Sequence, residues 1–228
     1  MLKTLTTVAS VALPIEERWS VKRCRYAPDG SSVGRVCIAT GTHGDEMMGQ
    51  LIIYLVQQRI GEHPDALRGT VDFYPMLNPL GLDIGERLVP SGTRLDMNRA
   101  FPGSPNGTPL EYMCHQVIKD MRGADILLDL HASARNKSVL YEVRVSAKEA
   151  ERLLPRVRAL CPQLIWVYPD KGSFSASLTG ALGAVGTDAV ILEADERRRL
   201  PQEIAFSVVD GIFCKLKEMG IWAGDAIA

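Results

Sequence analysis

Residues 34–40 read Gly-Arg-Val-Cys-Ile-Ala-Thr, and residues 41–46 continue as Gly-Thr-His-Gly-Asp-Glu. A short apolar run opened by glycine is the pattern of a buried strand. Over residues 46–60 the period changes. Met47, Met48, Leu51, Ile52, Leu55 and Val56 fall on one face of a helix, and Gly61 is placed to end it. Residues 70–76 then read as a second strand. Strand, helix, strand is the unit from which parallel sheets are built.

The alternation continues along the chain. Residues 77–107 are rich in Gly, Pro, Asn and Asp without clear periodicity, and a segment that long in a compact domain is often functional. It ends at a helix start with Thr108 as N-cap, Pro109 at the first position and Glu111 closing a capping box. Leu110, Met113, Cys114, Val117 and Met121 form the inward stripe, and Gly123 closes the helix. Residues 125–130 (DILLDL) read as a buried strand and 139–145 as an outer one. Ser146 and Glu149 suggest a second capping box, with Pro155 expected to kink or split the helix that follows. Residues 164–168 and 189–192 read as strands flanking a small-residue helix. A last helix over 201–219 turns Ile204, Val208, Ile212 and Met219 inward. With no internal repeat or low-complexity linker, residues 1–228 read as one α/β domain with a largely parallel sheet.

Composition narrows the function classes. Hydrophobic residues make up 46% of the chain and charged residues 23%, as in ordinary globular proteins. Lys and Arg number 26 against 27 Asp and Glu, with no basic stripe, so nucleic acid has little to hold. The longest apolar stretch, residues 51–56, lies inside an amphipathic pattern and is too short to span a bilayer. Residues 1–13 resemble a signal peptide only faintly, their apolar core being broken by Thr4, Thr6, Thr7 and Ser10. A cytoplasmic location is therefore expected. Cys24, Cys37, Cys114, Cys161 and Cys214 form no C-x-x-C pair and read as small thiols in a reducing compartment.

The chemistry collects where strands end. His43 and Glu46 follow the first strand, His131 follows DILLDL, and Glu193 follows residues 189–192. In open α/β sheets ligands bind beyond the carboxyl ends of the strands. Two His and a carboxylate make a known catalytic zinc set that leaves a position for water, although iron or cobalt would suit the same donors. Glu193, outside that set, is placed to act as general base; taken alone it would equally cap a helix or pair with an arginine. Asp129 stands two residues before His131, on the same strand face. It would accept a hydrogen bond from a ligand imidazole or form a structural ion pair, and Asp45 suits either part. Arg87, Arg94, Asn98 and Arg99 lie in the long loop, where guanidinium groups suit a substrate carboxylate. His63 and His115 read as structural, and Arg197, Arg198 and Arg199 as solvated.

Taken in order, GTHGDE, NPLG, LDMNRAFPG, LLDLHAS and VILEAD resemble the succinylglutamate desuccinylase/aspartoacylase family, within the zinc carboxypeptidase superfamily. The separation of Glu46 from His131, 85 residues, matches as well. The resemblance covers residues 34–193. It implies a three-layer α/β/α sandwich around a mixed, largely parallel sheet, with one Zn2+ held by His43, Glu46 and His131 and Glu193 as the base. It further implies that Asn98 and Arg99 hold the substrate's carboxylate. Arg87 is similar to the arginine that helps polarise the scissile carbonyl, and Arg94 is its rival. Two features depart from the family. Members commonly carry a β-rich C-terminal domain over the site, whereas this chain ends soon after its last helix. The expected site is then more open, or completed by another subunit in a homo-oligomer. Residues 180–187 also lack the arginine that aspartoacylases place before the base, which counts against N-acetylaspartate itself. The expected activity is hydrolysis of the amide of a small N-acyl amino acid or related carboxylate-bearing molecule. The alternative is a metallocarboxypeptidase acting on a peptide.

Overall fold

The structure, a computed structural model, describes residues 1–90, 95–133, 140–169, 172–196 and 200–227. Eight strands form one sheet: β1 (Leu2–Ala12), β2 (Arg18–Ala27), β3 (Arg35–Ala39), β4 (Thr70–Tyr74), β5 (Ile126–Ser133), β6 (Tyr141–Ser146), β7 (Leu164–Tyr168) and β8 (Asp188–Glu196). Their order is β1-β2-β4-β3-β5-β8-β6-β7. The central four, β4, β3, β5 and β8, run parallel. β2 joins β4 antiparallel and β1 joins β2 antiparallel, while β6 runs against β8 and alongside β7. The sheet is mixed around a parallel centre.

Helices cover both faces. Val36 and Ile38 of β3, with Ile126, Leu128 and Leu130 of β5 and Val190 and Leu192 of β8, pack against α1 (Met48–Glu62), α4 (Ala150–Val157) and α6 (Gln202–Glu218). The alternate residues Cys37, Ala39, Leu127 and Ala189 face α3 (Pro109–Met121) and α5 (Leu178–Ala184). This two-residue alternation explains why the central strands read as continuous apolar runs: both of their faces are buried. In α3 the capping box is made, Thr108 accepting from the Glu111 N–H and Glu111 from the Thr108 N–H. Its five stripe residues are all buried, each worth roughly 1.5–3 kcal/mol of transfer free energy for the larger side chains.

Several local expectations are corrected. Helix α1 starts at Met48, leaving Met47 exposed ahead of it, and it runs through Gly61 to Glu62. A Cβ added at Gly61 would meet nothing, so that glycine marks no forced turn. Ser146 makes no capping hydrogen bond, because a 3-10 turn over Ala147–Glu149 intervenes. Pro155 lies within the short α4, which a second 3-10 turn follows. β6 is not outermost, since β7 pairs outside it, and residue 139 lies outside the described residues. Residues 77–107 contain a short helix, α2 (Pro79–Asp83), and a 3-10 turn over Met97–Arg99. β1 and β2 were hidden in the sequence because lysines, arginines and threonines alternate with their few inward residues, among them Ala9, Trp19 and Val21. Among the described residues no helix is long and apolar enough to cross a membrane.

Under α3 the sheet buries a charge. Asp72 of β4 has no exposed surface. Arg25 donates to both of its oxygens at 2.7 and 2.8 Å, and Arg35 donates at 2.7 Å. Burial would push its carboxyl up, but the two arginines outweigh that and hold Asp72 below the usual carboxylate value. Its stabilising contribution is therefore complete above that ordinary value, about 3.9, and is lost as pH falls through the lower folded value. Asp72→Asn should cost about 1–3 kcal/mol at pH 7 by leaving the partly buried guanidinium groups of Arg25 and Arg35 short of their counter-charge. Urea unfolding midpoints should converge between variant and wild type as pH drops below about 4; a gap independent of pH would refute the ion-pair account.

Candidate active site

The four parallel strands finish at one edge of the sheet, and the site is assembled there. From β3 the chain turns through Gly41, at φ +71°, into the loop that carries His43. Two bonds tie this turn to the loop after β4: Leu77 N–H donates to Thr40 O and Asn78 N–H to Gly41 O. A Cβ at Gly44 would come 2.0 Å from the backbone of Gly81 in α2, so only glycine lets the two loops approach this closely. The Thr40 hydroxyl donates to Leu130 O at 3.1 Å, holding the end of β3 against β5.

His43, Glu46 and His131 are buried with their donor atoms all within 4.8 Å of one another. Both imidazoles turn Nδ1 toward Glu46: His131 bonds Oε2 at 2.9 Å, and His43 lies 2.8 Å from Oε1. Each ring has another carboxylate behind it. His43 Nε2 bonds Asp96 Oδ1 at 3.2 Å, and His131 Nε2 lies 3.1 Å from Asp129 Oδ2. A carboxylate on Nε2 favours the tautomer that leaves the Nδ1 lone pair free for a cation. Burial would raise the Glu46 carboxyl, but the charge and hydrogen bonds of His131 and then His43 hold it well below the usual range. Burial would lower His131, yet Asp129 and Glu46 hold it well above the usual imidazole range. For Asp96, His43 and Arg87 overcome burial and bring its carboxyl down to about 2.

The donor set fits a divalent cation. His43 Nδ1 is buried without a hydrogen bond, although Glu46 Oε1 is only 2.8 Å away. A proton is poorly aligned there, whereas a cation between the three donors would use the lone pair. Among the described residues, Glu46, Asp96 and Asp129 surround the imidazoles, and Arg87 pairs with Glu46 and lies near Asp96.

Glu193 approaches from the neighbouring strand. It is the register partner of His131 across β5 and β8 and shares a cavity of about 330 Å³ with the triad. Burial pushes its carboxyl up, and the charges of His131 and Arg144 pull it part of the way back. Arg144 Nη1 lies 2.8 Å from Glu193 Oε1, while Oε2 is buried and unpartnered.

Arg87, Asn98 and Arg99 line the same cavity. Arg87 donates to Glu46 Oε1 at 2.7 Å. Asn98 is buried, and its Oδ1 accepts from the Leu178 N–H at 3.0 Å, joining the long loop to α5. Arg99 donates to the carbonyl of Asn98 at 2.6 Å. Arg94, Arg197, Arg198 and Arg199 lie outside the described residues. His63 and His115 do not line the cavity. Sequence reasoning missed Asp96, Arg144, Trp166 and Phe174. The alternation in Tyr141–Ser146 placed Arg144 opposite the apolar face, but nothing local said that this face meets Glu193.

Comparison with known proteins gives the family and the fold. Residues 32–217 match the Succinylglutamate desuccinylase/Aspartoacylase catalytic domain. The chain belongs to that family. Over 103 residues it is 30% identical to an N-alpha-acetyl-L-2,4-diaminobutyric acid deacetylase of Halomonas elongata, a match spanning 44% of this chain and 29% of that relative. The crystal structure of a succinylglutamate desuccinylase/aspartoacylase from Rhodobacter sphaeroides superposes with a TM-score of 0.80 at 23% identity, covering 98% of this chain and 67% of that one. A metallo-carboxypeptidase from Burkholderia cenocepacia gives 0.75 at 15% identity, covering 95% and 64%. At these identities the two structures share the fold. The fit of His43, Glu46 and His131 to a divalent cation predicts that His131→Ala loses it. Metal content per chain, measured by atomic absorption after purification, should fall to background; unchanged content would remove His131 from the ligand set.

Proposed function

We propose that the chain is a zinc-dependent amidohydrolase that cleaves a small N-acyl amino acid or a related carboxylate-bearing compound. The observation that carries this reading is the buried His43–Glu46–His131 cluster facing the free, buried Oε2 of Glu193 across one cavity. His43, Glu46 and His131 would hold the zinc. Zinc bound there would lower the pKa of a water and polarise the scissile carbonyl.

The chain's own groups do the rest. Glu193 takes a proton from the attacking water on Oε2 and passes it to the nitrogen of the leaving amine, so that a carboxylic acid and an amine are released. Arg87, which donates to Glu46 Oε1 and lines the cavity, would supply positive charge to the developing oxyanion. Asn98 and Arg99 grip the substrate's carboxylate, Asn98 through the amide nitrogen that its bond to Leu178 leaves available. A cavity of about 330 Å³ is large enough for an acyl amino acid. The Halomonas elongata relative is named for a substrate of the same class, an N-acetylated amino acid.

The direct measurement is amine release by the zinc-loaded protein from a panel of N-acyl amino acids and short peptides. Turnover confined to the acyl amino acids is expected; turnover confined to peptides would move the chain to the carboxypeptidase reading. Glu193→Gln should keep its metal and lose about 10²- to 10⁴-fold in kcat. Full activity in that variant would remove Glu193 from the mechanism.

A further inference from the structure

Arg144 has no counterpart among the residues that the motifs single out, yet it touches the proposed base. It stands on β6, antiparallel to β8, with Glu142 opposite Glu193 and Arg144 opposite Ile191. The two-residue period puts Arg144, Glu142 and Glu193 on one face of the sheet, away from the buried Tyr141, Val143 and Val145. The arginine therefore reaches diagonally across the strand pair. Its Nη1 meets Glu193 Oε1 at 2.8 Å, and its Nε donates to Glu142. On the other side β7 supplies Trp166, the register partner of Arg144, and the guanidinium lies 4.7 Å from the indole centroid.

Three strands thus fix one planar cation. A guanidinium held at Nε and stacked on an aromatic face has little freedom to turn. What it holds is half of a carboxylate. Glu193 Oε1 is bonded and Oε2 is not, although both belong to a side chain nearly withdrawn from water. A bare buried carboxylate oxygen is costly unless something is to use it, and this one borders the cavity shared with His43, Glu46 and His131.

We propose that Arg144 is a positioning residue for the base: by gripping Oε1 of Glu193 on a platform of Glu142 and Trp166, it presents Oε2 to the proton that must be taken. The proposal rests on the reading of Glu193 as the base. Without this grip, a three-torsion side chain has several rotamers, and only some place an oxygen at the water. Lysine would supply the charge without the fork or the stacking face.

The test is a kinetic cycle on the zinc-loaded protein with an N-acyl amino acid that it turns over. Arg144→Ala should lower kcat by about 10- to 100-fold, the scale of misplacing a catalytic group by an ångström. KM should stay within about twofold, since groups that act only in the transition state leave KM alone. Metal content should match wild type. Added guanidinium ion should restore part of the lost kcat. In a Glu193→Gln background, Arg144→Ala should have no further effect, because a residue that acts only through another adds nothing once the other is gone. A raised KM with kcat intact would make Arg144 a substrate anchor and overturn the proposal. Independent, multiplying losses in the double variant would overturn it too. If Glu193→Gln alone is fully active, the reading of the base fails first, which separates the two failures. Should Arg144→Ala not fold, Arg144→Lys carries the same cycle, with a loss of kcat at constant KM expected and wild-type kcat refuting the role.

Discussion

The in-register parallel pairing of β3, β5 and β8 is the constraint on which the site depends. Ala39 lies opposite Asp129, Asp129 opposite Ile191, and His131 opposite Glu193. Because side chains alternate, this register puts Asp129, His131 and Glu193 on the face that α3 and α5 cover. A slip of one residue in β5 would send His131 toward α1 and α6 and bring an apolar side chain to Glu46. The apolar residues enforce the register, since the same slip would carry Ile126, Leu128 and Leu130 off the core that they share with α1 and α6. Hydrophobic burial on one face thereby positions polar chemistry on the other.

Around that frame the charges are interlocked. Asp96 uses Oδ1 both to back His43 and to accept the N–H of Asn98. Asn98 in turn caps the start of α5 through Leu178. The long loop is therefore bound to the site by polar bonds at His43 and at α5 and by backbone bonds at Thr40 and Gly41. Its lack of periodicity follows from this. A segment whose purpose is to deliver Arg87, Asp96, Asn98 and Arg99 to fixed points is shaped by those contacts rather than by a repeating backbone pattern.

The reversal of direction at β6 does a different job. The parallel strands bring chemistry to their carboxyl ends, whereas β6 runs against β8 and presents Glu142 and Arg144 along its length. β7 follows parallel and adds Trp166. The cavity thus has a wall of rigid strand beside Glu193 and a wall of loop at Arg87 and Arg99. Groups mounted on strands are held more firmly than groups on loops, which suits the proposed role of Glu193 as a base that keeps one geometry.

By itself the sequence determined the central elements and set His43, Glu46, His131 and Glu193 at their ends. Periods of two and 3.6 residues and the capping box at Thr108 are local signals, written within a few residues of where they act. His43, Glu46, His131 and Glu193 were legible because each follows a recognisable strand, and strand ends of a parallel sheet converge whatever the details. The family motifs made the same set specific. Only the tertiary structure decided that β6 runs antiparallel, that β1 and β2 extend the sheet, that Asp96 stands behind His43, and that Arg144 reaches Glu193. Those facts rest on which strands pair and in which direction, and pairing is set by the burial of surfaces far apart in the chain. A charged residue alternating with valines, as Arg144 does, has the same local pattern whether its face meets solvent or the proposed general base.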